Sequence, residues 1–237
     1  MRIRSAFTLV ELLIVIVVLA LLATIAVPSF SNLVNMAETV KCLSNIRNME
    51  MAHLSYTSNN GGWMIKAGLS HGGVHGDEEA AWINTLQPYY ESPLVACCPA
   101  DDSPHWLPDG SPVPQSGGRY RRSSYGINEF TDPDLCPWGP PYKKILSVPN
   151  PTATVHFLEM AETGDFAGAD HPHVDLWVGN VLAKASRHLQ INQHGGELRT
   201  WNAKANYGFL DGHAETRTFG EVFKNRTLNN FDPAVAK

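Results

Sequence analysis

The stretch Phe7–Val27 constrains this chain more than any other. Its 21 residues include only Thr8, Glu11 and Thr24 as polar side chains. As a helix, at about 1.5 Å per residue, it reaches roughly 31 Å, the thickness of a bilayer core. The sequence therefore predicts a single-pass membrane helix. Arg2 and Arg4 precede it without an acid, which places Met1 in the cytoplasm and the rest of the chain outside. A secretory signal peptide has an apolar core of about 7–15 residues, shorter than this one. Glu11 also sets the run apart from a plain anchor. A carboxylate inside a membrane helix costs about 2.5–3.5 kcal/mol on insertion scales, so it calls for a function and a partner.

Beyond this run the chain divides sharply. All 19 Gly and all six Trp lie at or beyond Gly61, as do 15 of the 16 Pro. Phe30 to Asn59 lacks both Gly and Pro. Leu33, Ala37, Val40, Leu43, Ile46 and Met49 recur at spacings of three or four and read as one apolar stripe, with Glu38, Lys41, Arg47 and Glu50 on other faces. Asn59-Asn60-Gly61-Gly62 is a stop signal. The expectation is one helix from about Phe7 to Ser58, roughly 75 Å long, its outer half packed against a head. Pro28, at the end of the apolar run, is an expected kink or point of local melting.

Residues 61–237 read as short strands and long loops. Ala153–Leu158 and Ala205–Leu210 are predicted buried strands. The second passes through Asp211-Gly212 into the alternating His213–Phe219, a hairpin pattern. Ala80–Tyr90 is a predicted short helix ending near Pro88. The fold class expected is α+β: a long N-terminal helix, its first half in the membrane, with a small antiparallel-sheet, loop-rich head. A net charge of −5 argues against general nucleic-acid binding.

Few residues suggest catalysis. A P-loop and a dinucleotide fingerprint are absent from the sequence. Asp170-His171-Pro172-His173-Val174-Asp175 resembles a metal cluster, as does the set His71, His75 and Asp77, but both read better as solvated loops. Asp165, Asp170, Asp175 and Glu159 would suit calcium, without the EF-hand pattern. Arg119-Tyr120-Arg121-Arg122 reads as a solvated basic loop. The four cysteines, Cys42, Cys97, Cys98 and Cys136, favour disulfides in an exported protein. Spacing leaves their connectivity open, and a zinc site is the rival use.

The ordering Ala6-Phe7-Thr8-Leu9-Val10-Glu11, behind a basic leader and before an apolar helix, resembles the prepilin processing motif of type IV pilins and type II secretion pseudopilins. The resemblance implies cleavage by a prepilin peptidase between Ala6 and Phe7, methylation of the new N-terminus, and Glu11 as an assembly residue. The usual residue before the cut is Gly, where this chain has Ala6. A second resemblance rests on Lys41-Cys42-Leu43-Ser44-Asn45-Ile46-Arg47, Cys98-Pro99-Ala100-Asp101, Ser124-Tyr125-Gly126-Ile127-Asn128, His194-Gly195-Gly196 and Phe209-Leu210-Asp211-Gly212-His213. These are similar to a prepilin-like group named for a His, nine residues, then Asp-Gly. Here sixteen residues separate His194 from Asp211, as though Glu197–Lys204 were inserted. With Cys42 and Cys98 in its motifs, this resemblance implies a Cys42–Cys98 disulfide, leaving Cys97–Cys136 as the second pair.

Taken together, the expected organisation is a leader at 1–6, a transmembrane and stalk helix at 7–60, and a periplasmic head at 61–237. The expected role is a non-enzymatic subunit of a type II secretion pseudopilus or type IV pilus-like fibre in the inner membrane. Its partners would be prepilin peptidase and other pilin or pseudopilin subunits, with no nucleic acid. No cofactor is expected, calcium being the one ion the acidic loops suggest. The alternative is a membrane-anchored periplasmic metal-binding or hydrolytic protein.

Overall fold

The computed structural model describes residues 7–69, 79–90, 96–107, 121–136 and 138–237, apart from the side chains of 25–29. The chain forms two compact units, Met1–Glu38 and Thr39–Lys237. Helix α1, Leu9–Asn59, contributes to both. Its backbone stays helical through Pro28, so of the kink or local melting expected there, melting does not occur. A proline removes one backbone donor and leaves the neighbouring turns to carry the helix.

From Leu9 to Leu22 α1 has no polar face. Its large apolar side chains from Leu9 to Leu22 are between 46% and 81% exposed. In the second unit α1 has a buried face, formed by Cys42, Ile46, Met49 and Ala52 together with Asn45, Glu50, His53 and Thr57. The predicted stripe is therefore half right. Leu33, Ala37 and Val40 are exposed, and burial begins at Cys42. Glu50 also departs from expectation: it is fully buried. It lies four residues after Ile46, so helical geometry returns it to the same face. Asn59-Asn60-Gly61-Gly62 stops the helix as read. Gly61 and Gly62 take φ of 62° and 83°, and the Gly62 N–H donates to Thr57 O at 2.8 Å.

The rest of the second unit is loop-rich, with three two-stranded antiparallel sheets among the described residues. Strand β1 (Tyr125–Ile127) pairs with β2 (Phe157–Glu159). The hairpin β3 (Lys204–Gly208) and β4 (Ala214–Thr218) pairs Lys204 with Thr218 and Gly208 with Ala214. An isolated bridge, Val155–Phe209, and the His156 N–H to Gly208 O bond at 2.8 Å set β2 beside β3. The predicted strand at Ala153–Leu158 starts later than read, because Val155 N–H and Ala153 O bond to Asn230 instead. The predicted helix at Ala80–Tyr90 is a single turn, α2 (Trp82–Thr85), followed by a 3-10 turn at Gln87–Tyr89.

Two further helices, α3 (Val181–His188) and α4 (Phe219–Val222), complete the unit with β5 (Phe223–Asn225) and β6 (Leu228–Asn229). One core gathers around Trp177, Tyr207, Phe219 and Phe231. A second joins the buried face of α1 to Trp82, Tyr125 and Phe157. Gly208 decides how close α1 comes to β3. A Cβ there would collide with Glu50 Oε1 and lie 2.7 Å from Ile46 Cγ2, so any larger residue would push the helix off the sheet.

Candidate functional site

The N-terminal motif is built on the first turn of α1. Thr8 precedes the helix, and its N–H and hydroxyl donate to Glu11 Oε2 at 2.8 and 2.7 Å. In return the Glu11 N–H meets Thr8 Oγ1 at 3.3 Å. This is a capping box. The signal was in the sequence, as Thr-x-x-Glu ahead of an apolar run, and the reading of Glu11 as an assembly residue passed over it. Phe7 is 74% exposed. Ala6, the other half of the expected cleavage junction, lies outside the described residues. Among the described residues no helix is long and apolar enough to cross a membrane. The apolar run of the sequence continues through residues 25–27, whose side chains lie outside the description.

In the second unit the sparse sequence motifs meet around one disulfide. Cys42 of α1 is bonded to Cys98, with Cα atoms 5.2 Å apart. The Cys98 N–H donates to Ser124 Oγ at 2.9 Å, and Ser124 donates to Asp101 Oδ2 at 2.5 Å. Asp101 also accepts from Trp106 Nε1 at 2.9 Å and from Arg121 Nε and Nη2 at 2.9 and 2.6 Å. Arg121 is fully buried and spends its remaining N–H groups on Ala161 O, Ala167 O and Met160 O. All five guanidinium donors therefore have acceptors. The solvated basic loop expected at 119–122 is corrected here. Arg121 is the centre of a buried network, Arg122 donates to Asn84 Oδ1 at 3.0 Å, and residues 119 and 120 lie outside the described residues.

The second expected disulfide is absent: Cys97 and Cys136 are free thiols. Their surroundings differ. Cys97 Sγ lies 3.5 Å from Cys98 O. Cys136 lines a cleft of about 320 Å³ with Phe130, Trp138, Tyr142 and Asp232. Burial pushes both thiols above the usual cysteine range, which keeps them protonated and weakly nucleophilic at neutral pH.

His194 sits beside the disulfide network. Its Nε2 is 2.7 Å from Glu159 Oε1, and both side chains are almost wholly buried. Glu159 Oε2 accepts the Asn206 N–H of β3 at 3.0 Å. Glu159 Oε1 lies 3.8 Å from Cys98 Sγ, a contact without a hydrogen bond, since the bonded sulfur carries no proton. Asp211-Gly212 forms the tip of the β3–β4 hairpin. Gly212 has φ of 99°, and Asp211 Oδ1 accepts the His213 N–H at 3.2 Å. His194 and Asp211-Gly212 thus serve different ends of one hairpin. The extra segment between them packs outward, with Trp201 stacked on Phe219 at 5.7 Å.

The segment 170–175, read as a solvated loop, is largely buried, with Asp170, His171 and Val174 all inside. Asp170 Oδ2 accepts the Gly68 and Leu69 N–H groups at 2.8 and 3.1 Å. Glu159 belongs to His194, and Asp165 lies 3.6 Å from Arg187 Nη2. Asp170, Glu159 and Asp165 thus face different partners, while Asp175 lies with His173 and Glu129 in a group whose candidate ligand atoms are within 4.8 Å of one another. His173 Nδ1 lies 3.5 Å from Glu129 Oε2. That contact with Glu129 raises His173 above the usual histidine range, against its partial burial. His71, His75 and Asp77 lie outside the described residues.

Sequence reading missed one group altogether. Glu50 and His53 of α1 and His156 before β2 are all fully buried. His156 Nδ1 is 2.9 Å from Glu50 Oε2, and the Phe157 N–H donates to Glu50 Oε1 at 3.1 Å. The rings of His53 and His156 lie 4.2 Å apart, tilted by 36°. Burial holds Glu50 well above the usual carboxylate range, His156 down to about 3 and His53 well below its ordinary value. Among the described residues, both ring nitrogens of His53 and Nε2 of His156 have no hydrogen-bond partner. Each such buried orphan costs about 1–3 kcal/mol. The signal that would have found the group is Glu-x-x-His on a helix face that turns inward.

Searches among curated proteins and among solved structures find no match to this chain. One family does match, at residues 1–27, described as the prokaryotic N-terminal methylation motif. That span holds the basic leader, the Ala6–Phe7 junction, the Thr8–Glu11 cap and the apolar run. The chain carries a prokaryotic N-terminal methylation motif, as prepilin-like and pseudopilin-like proteins do.

Proposed function

We propose that this protein is a prepilin-like structural subunit, and not an enzyme. It is cut between Ala6 and Phe7 by a prepilin peptidase on the cytoplasmic side of the inner membrane. The first part of α1 holds it there as a single-pass protein with its head in the periplasm. It then joins other pilin or pseudopilin subunits in a type II secretion pseudopilus or a type IV pilus-like fibre. Assembly of this kind needs no cofactor.

The observation that carries the reading is the methylation motif at residues 1–27. The form of α1 supports it: apolar side chains exposed on every side from Leu9 to Leu22, broken by one carboxylate. A helix apolar all round is stable only when something covers it, either lipid or neighbouring helices. After cleavage Phe7 bears a cationic amine, and Glu11 of an adjacent subunit supplies the opposite charge at the same depth. Such a pair in a low-dielectric setting fixes the axial stagger between helices.

Co-expression with a prepilin peptidase tests this reading. Mass spectrometry of the membrane-extracted protein should find residues 1–6 removed and Phe7 methylated. Intact Met1 on the membrane-extracted chain would overturn it.

A further inference from the structure

We propose that Glu50, His53 and His156 form a buried site for one divalent transition-metal ion, zinc foremost, which fastens the inner face of α1 to β2. One candidate ligand atom from each residue lies within 4.8 Å of the other two. All three side chains are fully buried. The 2.9 Å between His156 Nδ1 and Glu50 Oε2 is close to the roughly 3.3 Å separating neighbouring ligands on a tetrahedral ion with bonds near 2.0–2.1 Å.

The orphaned nitrogens carry the argument. A buried imidazole normally finds a partner for each nitrogen, yet among the described residues His53 has none for either and His156 has none for Nε2. Sharing a proton between Glu50 and His156 would account for one contact and leave His53 unexplained. A metal ion gives each ring a partner, taking one lone pair from each neutral imidazole while the other ring nitrogen keeps its proton, and it offsets the buried carboxylate charge. Two imidazoles and one carboxylate suit zinc and its first-row neighbours and suit calcium poorly. Tyr90, whose buried hydroxyl also lacks a partner, lies near enough for the Glu50 charge to add to burial in raising its hydroxyl above the usual tyrosine range.

The fold makes room for this cluster at a specific cost in sequence freedom. Glu50 and His53 are three apart on one helix face, and Gly208 lets that face reach the sheet without a Cβ in the way. The Cys42–Cys98 disulfide fastens the same helix about two turns earlier. The ion would be a second fastening of α1 within this unit. The inference is independent of the role proposed for the apolar part of the helix.

The test uses the full chain in detergent, purified without chelator, with metal content read by mass spectrometry. About one zinc per chain is expected. After stripping, the folded chain should take up Co²⁺ with visible d–d bands, and added zinc should raise its Tm by roughly 5 °C or more. His53→Gln should weaken zinc binding at least about 100-fold, while His173→Gln leaves it unchanged. If His53→Gln does not fold, Glu50→Gln takes its place with the same expected loss. Peptide mapping must find Cys42–Cys98 intact in the metal-loaded protein, which excludes zinc held by those sulfurs. The proposal fails if the stripped, folded chain takes up neither ion. It fails equally if the folded His53→Gln or Glu50→Gln chain binds zinc as tightly as the unmodified one.

Discussion

The two parts of α1 use one backbone geometry for opposite ends. From Leu9 to Leu22 the helix shows apolar side chains on every side, interrupted by Glu11, which caps the first turn together with Thr8. From Thr39 it belongs to a unit with its own cores, and its inward face carries Asn45, Glu50, His53 and Thr57 among the apolar residues. The apolar part takes its stability from what surrounds it. The inner part takes its stability from specific polar partners on distant loops. Substitutions should therefore divide cleanly between assembly and head folding.

The largest effect on the head is expected from Asp101→Ala. It strands the Arg121 guanidinium, which is fully buried, and breaking such a pair costs about 3–5 kcal/mol. Thermal unfolding of the detergent-solubilised chain should show a correspondingly large fall in Tm, with N-terminal processing unaffected. A Tm close to that of the unmodified protein would mean that the network around Asp101 is not what holds these loops.

Next comes the disulfide. Cys42 and Cys98 are 56 residues apart in sequence, and removing the link in a Cys42→Ser, Cys98→Ser chain should cost about 2–4 kcal/mol. Peptide mapping without reductant should find Cys97 and Cys136 open to alkylation after unfolding, and Cys42 and Cys98 closed. A Cys97–Cys136 peptide would reverse the correction made above.

The smallest effect on the head, and the largest on assembly, belongs to Glu11→Ala. The head should stay within about 0.5 kcal/mol of its normal stability, while crosslinking between neighbouring subunits falls steeply. Glu11→Gln should be nearly as poor, because the amide keeps the shape and loses the charge. Thr8→Ala sharpens the point, since it removes the hydroxyl of the capping box and keeps the carboxylate. If Thr8→Ala harms assembly as much as Glu11→Ala, Glu11 acts through the cap of its own helix. If Thr8→Ala chains still crosslink, the charge is what neighbouring subunits use.

Some of the head was legible for local reasons. Asp211-Gly212 between two β-rich runs gives a hairpin because a turn's chemistry is carried by its own residues. Asn60-Gly61-Gly62 stops α1 for the same reason. The Cys42–Cys98 bond was reached through resemblance to a motif group, and spacing left it open. The buried Glu50, His53 and Arg121 were misread as solvent-facing or passed over. Nothing within a few residues of them says that Phe157, Gly208 or Asp101 will come to meet them.

The sequence by itself determined the N-terminal motif, the long helix and where it stops, and the hairpin, because each depends on contacts within a turn or two of chain. Only the tertiary structure decided which face of α1 turns inward, which two cysteines remain free, and that Asp101 and Arg121 share one buried network. Those outcomes depend on pairing between residues tens of positions apart. A charge can be buried only where a distant loop supplies its partner, and local patterning carries no record of that partner.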